Sequence, residues 1–114
     1  GGTMYTNIVT ETDLGVGIDL RSAGNVRVAV LGDGVFDALQ VDPASARFGP
    51  GAALPVRYES LDYNRDGYTD RGFLFHISEV GFICGDQRVT LAAGAYDGEA
   101  LAGSDVVHGY NCRE

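Results

Sequence analysis

The apolar residues of this chain come in short runs that alternate with polar ones, and almost every run stops at glycine, proline or an Asp-Gly pair. Alternation at period two gives an extended segment one face for a core and one for water, whereas a helix repeats its apolar positions every three to four residues. Val16-Gly17-Ile18-Asp19-Leu20 carries this beat, and so does Val26-Arg27-Val28-Ala29-Val30-Leu31 after the turn-forming Ser22-Ala23-Gly24-Asn25. Asp33-Gly34 breaks the second run, and Phe36, Leu39 and Val41 fit either a short helical turn or an irregular edge ahead of Asp42-Pro43, with irregular backbone preferred. Ser45 to Phe48 reads as a short strand ended by Gly49-Pro50-Gly51. Leu54-Pro55-Val56-Arg57-Tyr58 alternates again, with Pro55 assigning it to a sheet edge.

Gly72 to Ile77 is a continuous apolar run with two aromatics, as expected for a central strand buried on both faces. Asp86 to Leu91 and Asp105 to His108 complete the set, with Asp97-Gly98 as a turn between them. No internal repeat and no sustained helical period is present. The expectation is an all-β sandwich of seven or eight short, mainly antiparallel strands, immunoglobulin-like or jelly-roll-like, because each half-apolar strand must cover its inner face.

Composition narrows the function. The 114 residues suit one domain, and 17 glycines with no tryptophan and one methionine suit many tight turns. Eight basic residues against sixteen acidic ones give a net charge of −8, which repels phosphate backbones and anionic lipid. Nucleic acid is therefore excluded as a partner, and no apolar run nears the ~20 residues that cross a bilayer. Gly1-Gly2-Thr3-Met4 reads as an expression remnant, so residues 1–15 are expected to form a flexible arm and residues 16–114 the single domain, soluble and monomeric. Cys84 and Cys112 lack the Cys-x-x-Cys spacing of zinc or dithiol sites, so a structural disulfide is expected, and with it a secreted or cell-surface location.

The strongest chemical signal runs from Asp62 to Asp70, where oxygen-bearing side chains fall on alternate residues and a glycine follows the third. Calcium wants six to eight oxygens, and a loop wrapped round it presents side chains from its first, third and fifth positions. Asp62, Asn64 and Asp66 fill these, Gly67 permits the sharp turn, the Tyr68 carbonyl serves the seventh position, and Asp70 the ninth, directly or through water. Magnesium is disfavoured by its stricter octahedral demand. The twelfth position is Phe73, not the bidentate glutamate of an EF-hand, so further oxygens must come from elsewhere. Glu59 is the nearest candidate, with Asp37 and Asp42 behind it. Turn-forming habit explains Asp, Asn or Gly singly but not this spacing.

Val28-Ala29-Val30-Leu31-Gly32, Phe36-Asp37, the stretch Val41 to Gly49, the acidic loop, Cys84-Gly85-Asp86, Tyr96-Asp97-Gly98 and Gly103 to Val107 occur in one order. Together they resemble a bacterial secreted domain that recurs in exported proteins of otherwise unrelated content. The resemblance implies calcium-ligand roles for Asp62, Asn64, Asp66 and Asp70, and an accessory module in place of a catalyst.

Material for catalysis is scarce. His76, between Phe75 and Ile77, is expected to be a core or sheet-face histidine, and His108 likewise. Ser104-Asp105 near His108 lacks the required arrangement of nucleophile, base and orienter, and Glu59, Asp62 and Asp70 as paired acids lack a cleft. The chain is thus expected not to be an enzyme. Two readings stand: a calcium-binding structural module of an exported bacterial protein, or a calcium-dependent recognition module for a glycan or surface protein. The second would use exposed rings among Tyr58, Tyr63, Tyr68, Tyr96 and Tyr110.

Overall fold

The computed structural model describes residues 3–11 and 17–112. Among them nine strands run in chain order: β1 (Met4–Tyr5), β2 (Ile8–Glu11), β3 (Gly17–Asp19), β4 (Asn25–Val30), β5 (Arg47–Phe48), β6 (Arg57–Leu61), β7 (Asp70–His76), β8 (Gly85–Gly94) and β9 (Ala100–Tyr110). One sheet has the order β1-β9-β8-β5, with β3 also pairing β9; the other has the order β2-β4-β7-β6. Every pairing is antiparallel except those of β1 and β3 with β9. The result is the expected all-β sandwich.

Sequence pattern accounts for the long strands. β8 and β9 form a hairpin from Gly85↔Gly109 to Gly94↔Ala100. Its turn contains Gly98 at φ 92°, while the Asp97 carboxylate accepts from Glu99 N at 2.9 Å. Val89, Leu91, Leu101 and Val107 face inward, and Thr90 and Ser104 pair their hydroxyls on the solvent face at 2.7 Å. In the other sheet the inner face carries Val26, Val28 and Val30 of β4 opposite Phe75, Phe73 and Arg71 of β7. Phe48 joins the two layers: it stacks on Phe75 with ring centroids 5.1 Å apart and meets Phe82 edge-on. Aromatic rings bury ~150–250 Å2 each, so this cluster dominates the hydrophobic stabilisation.

Several expectations need correction. Met4–Tyr5 and Ile8–Glu11, assigned to an arm, are strands at the edges of the two sheets, which raises the strand number to nine; residues 1–2 and 12–15 of that arm, and Val16 after it, lie outside the described residues. Thr10 N donates to the Asp105 carboxylate at 2.9 Å, so β2 links the second sheet to β9 of the first. The segment holding Phe36, Leu39 and Val41 forms a 3-10 turn, Ala38–Gln40, followed by another at Pro43–Ser45. Asp37 and Asp42 cap these turns by accepting from Leu39 N and Ala44 N, each at 3.0 Å. Ile77 opens a single helical turn, α1 (Ile77–Val80), whose buried Ile77 and Val80 plug the end of the core, and Gly81 ends it at φ 89°. Leu54 and Val56 precede β6 and are 57% and 49% exposed, so their alternation does not face the core.

Cys84 and Cys112 are joined across 28 residues, at the start of β8 and just beyond β9. Among the described residues no helix is long and apolar enough to cross a membrane. Closing a loop of this length stabilises a fold by about 3–4 kcal/mol in the chain-entropy account. Cys112→Ser should therefore lower Tm by roughly 15 °C in calorimetry, and an unchanged melt would show that the β8–β9 hairpin holds the C-terminus unaided.

Candidate functional site

The acidic loop bridges β6 and β7 and curls around its own first carboxylate. Asp62 Oδ1 accepts from Asp66 N at 3.2 Å and Oδ2 from Gly67 N at 2.8 Å, while Asp66 Oδ1 accepts from Tyr68 N at 2.9 Å. Such curvature requires left-handed backbone: Gly67 has φ 91° and Arg65 φ 58°. A Cβ at Gly67 would meet nothing within 4 Å, so glycine is needed there for its backbone angle and not for space. Asn64, Asp66 and Tyr68 are exposed on the loop, and the Asn64 amide makes no hydrogen bond among the described residues.

Asp70 behaves differently. It is fully buried; its Oδ1 accepts from Gly32 N and its Oδ2 from Tyr63 N, both at 2.8 Å. A buried carboxylate is tolerable only when its oxygens are bonded in this way. By fixing Tyr63 N, Asp70 directs that residue's ring over β7, where a Cβ at Gly72 would collide with the Tyr63 hydroxyl and ring. The Tyr63 hydroxyl donates to Glu59 Oε1 at 2.8 Å. Arg27 completes the cluster, with Nε 3.3 Å from the same oxygen and its guanidinium 5.5 Å from the Tyr63 ring centroid. Burial pushes the Tyr63 phenol well above its usual value, and the hydrogen bond to Glu59 and that carboxylate's charge push it further.

The residues proposed from sequence as ligands thus separate into four groups. Asp62, Asn64, Asp66 and Tyr68 share the curled loop; Asp70 lies buried at its base; Glu59 is on the outer sheet face with Tyr63 and Arg27, and Asp37 and Asp42 cap turns. Among the described residues no three of His, Cys, Asp or Glu converge as a ready metal cage. The loop nevertheless retains capacity, because an ionised carboxylate offers about four acceptor sites and the internal bonds occupy two on Asp62 and one on Asp66. The donors are all oxygen, which suits a hard cation.

The other candidates disperse. His76 is exposed at the end of β7, not in the core, because the strand stops there to start α1. His108 Nδ1 is 2.8 Å from Asp86 Oδ1 on the open face of the β8–β9 hairpin. Ser104 bonds Thr90, and Asp105 accepts from Thr10 N and Val106 N, so neither joins His108 in a hydrolytic arrangement. The tyrosines make no ring pairs with one another among the described residues, but Tyr58 and Tyr96 line a common recess with the 42–44 turn. That juxtaposition had no local signal, since it depends on two loops nearly forty residues apart. Neither a family model, nor a curated protein, nor a solved structure matches the chain.

A pH dependence follows from Tyr63. With its folded value raised above about 10, the group's contribution to stability is present below that pH and lost as pH climbs through it toward the folded value. Alkaline titration followed by phenolate absorbance should reveal one tyrosine that ionises only on unfolding. Tyr63→Phe should abolish that lagging step, and its persistence in the variant would show that another phenol is the protected one.

Proposed function

We propose that this chain is a calcium-binding structural module of an exported protein, with the ion held on the loop from Asp62 to Asp70. The observation that carries the reading is the combination of alternating oxygen side chains with a loop curled on the Asp62 carboxylate through Gly67. Asp62, Asn64 and Asp66 would supply side-chain oxygens and Tyr68 its carbonyl. Asp70 would serve from below, keeping the loop entry in place through Tyr63 N, as hydrogen-bonded partners keep ligands oriented in metal sites generally. Glu59 is not required, being engaged by Tyr63 and Arg27.

The expected affinity is modest. An exposed loop with two or three acidic ligands and no enclosing cage belongs with extracellular calcium modules, whose dissociation constants fall at about 10⁻⁴–10⁻³ M. Extracellular calcium is abundant enough for such a site, and the disulfide is compatible with an oxidising compartment. The ion's role would be to brace the connection between an edge strand, β6, and the central strand, β7, adding to the stability of the native state by mass action.

Thermal melts in excess calcium, in excess magnesium and in EDTA test this. At a calcium concentration near a hundred times Kd, binding adds about 2.7 kcal/mol, or roughly 10 °C for a domain of this size. Magnesium should add little. Asp66→Ala should keep the melt in EDTA while losing the calcium increment; an undiminished increment in that variant would remove the site from this loop, and identical melts in all three buffers would reduce it to an acidic turn.

A further inference from the structure

The sandwich is bordered on one side by β1, β2 and β3 and on the other by β5 and β6. An open recess of about 560 Å3 has residues 55–58, leading into β6, as one wall, and the 42–44 turn with Tyr96 as the other. Leu54, Val56 and Tyr58 alternate as a core-facing strand would, yet all three are about half exposed or more, and Tyr96 is 60% exposed. Apolar side chains this exposed and this close together are unusual on a surface that has nothing to bind.

Tyr58 is held at its ring and Tyr96 at its backbone, and neither ring is covered. Tyr58 lies on the Arg71 guanidinium, 5.2 Å from ring centroid to Cζ, and Arg71 is itself buried, donating to Ser60 Oγ at 2.8 Å and to the Leu39 carbonyl at 3.1 Å. Tyr96 is fixed through its backbone, since its N–H donates to the Gln40 carbonyl at 2.9 Å and the adjoining Val41 and Ala95 form a bridge. Two polar groups flank the rings. Asp42 uses one carboxylate oxygen to cap Ala44 N and keeps the other, and Arg57 has no ion-pair or hydrogen-bond partner among the described residues.

We propose that this recess is a carbohydrate site that takes a neutral pyranose unit, with the apolar face of the sugar on the Tyr96 ring, Tyr58 closing the other wall, and its hydroxyls bonded to Asp42 and Arg57. The chemistry of the lining selects this class. Aromatic faces match the C–H faces of a sugar ring, and hydroxyls, being both donors and acceptors, match a carboxylate beside a guanidinium. One negative and one positive side chain cancel, so the recess favours an uncharged ligand, whereas an acidic sugar would also oppose the net charge of −8. The volume falls within the ~300–1,000 Å3 typical of small-ligand clefts, while a protein partner would need an interface of about 1,000 Å2 or more. None of the lining residues belongs to the acidic loop, so the inference stands apart from the calcium reading.

The test is an amide NMR titration of the whole chain, in calcium, with cellobiose, maltose, lactose, mannobiose and chitobiose at up to tens of millimolar. At least one disaccharide should shift signals concentrated in residues 42–44, 55–58 and 96, with millimolar affinity. Tyr96→Ala should weaken that binding by about tenfold or more, whereas Tyr110→Ala, at the opposite end of the β8–β9 hairpin, should leave it unchanged. Because Tyr58→Ala also uncovers Arg71, Tyr58→Phe serves as the second variant, and it should retain binding. The proposal is overturned if no disaccharide shifts these residues, if Tyr96→Ala binds as the parent does, or if the same signals instead move on dilution of the protein, which would make the recess a contact between copies.

Discussion

A carboxylate with no exposure sits where three parts of the chain meet. Asp70 opens the central strand β7, and its two oxygens accept from Gly32, just past β4, and from Tyr63, at the entry to the acidic loop. An unpaired charge there would be prohibitive, while two charge-assisted bonds to backbone amides make it a specific joint. The joint works only if β4, β6 and β7 align together. Their observed registers, Val30↔Arg71 and Leu61↔Asp70, place the ends of both neighbours at the same level of β7. Truncating Asp70 would leave the buried Gly32 N–H without an acceptor, at a cost of about 1–3 kcal/mol, and would release the half-buried Tyr63 N–H as well.

The next two residues extend that joint to both faces of the sheet. Successive side chains on a strand point to opposite sides, so Arg71 faces away from Asp70 and Gly72 faces with it. On its side Arg71 bonds Ser60 and the Leu39 carbonyl and supports the ring of Tyr58. On the other, the missing side chain of Gly72 admits the Tyr63 ring, whose hydroxyl in turn holds Glu59 beside Arg27. Asp70-Arg71-Gly72 therefore orients the acidic loop, the recess and the outer face of the second sheet from one short segment.

Local pattern and long-range pairing divide what the sequence discloses. β4, β7, β8 and β9 are readable because alternation or continuous apolarity states directly which faces are covered, and the Asp97-Gly98 turn and the cysteine pair follow from residue chemistry. β1 and β2 are not readable: strands of two and four residues carry too little pattern, and the partners of Met4 and Tyr5 are Leu101 and Ala102, at the far end of the chain. At Leu54, Val56 and Tyr58 the alternation is present but says nothing of what lies opposite, and the strand begins only at Arg57. The acidic loop behaves likewise. Its spacing is visible in the sequence, whereas the burial of Asp70 depends on Gly32 and the diversion of Glu59 on Arg27, each brought in by a different strand.

The internal bonding of the loop bears on how an ion would act. Asp62 and Asp66 are already turned by the amides of Asp66, Gly67 and Tyr68, so their mutual repulsion is partly offset by backbone dipoles without any cation. A site arranged in this way requires little reorganisation to bind, since the ordering of the chain is done during folding. The core is also independent of it: Phe48, Phe73, Phe75 and the β4 valines are fully or almost fully buried, and none belongs to the loop. This differs from small metal domains in which the ion supplies most of the folding free energy. For this sandwich the hydrophobic layers and the Cys84–Cys112 bridge specify the fold, and the proposed ion would stabilise a local connection, which accords with a module whose architecture persists as calcium rises and falls around it.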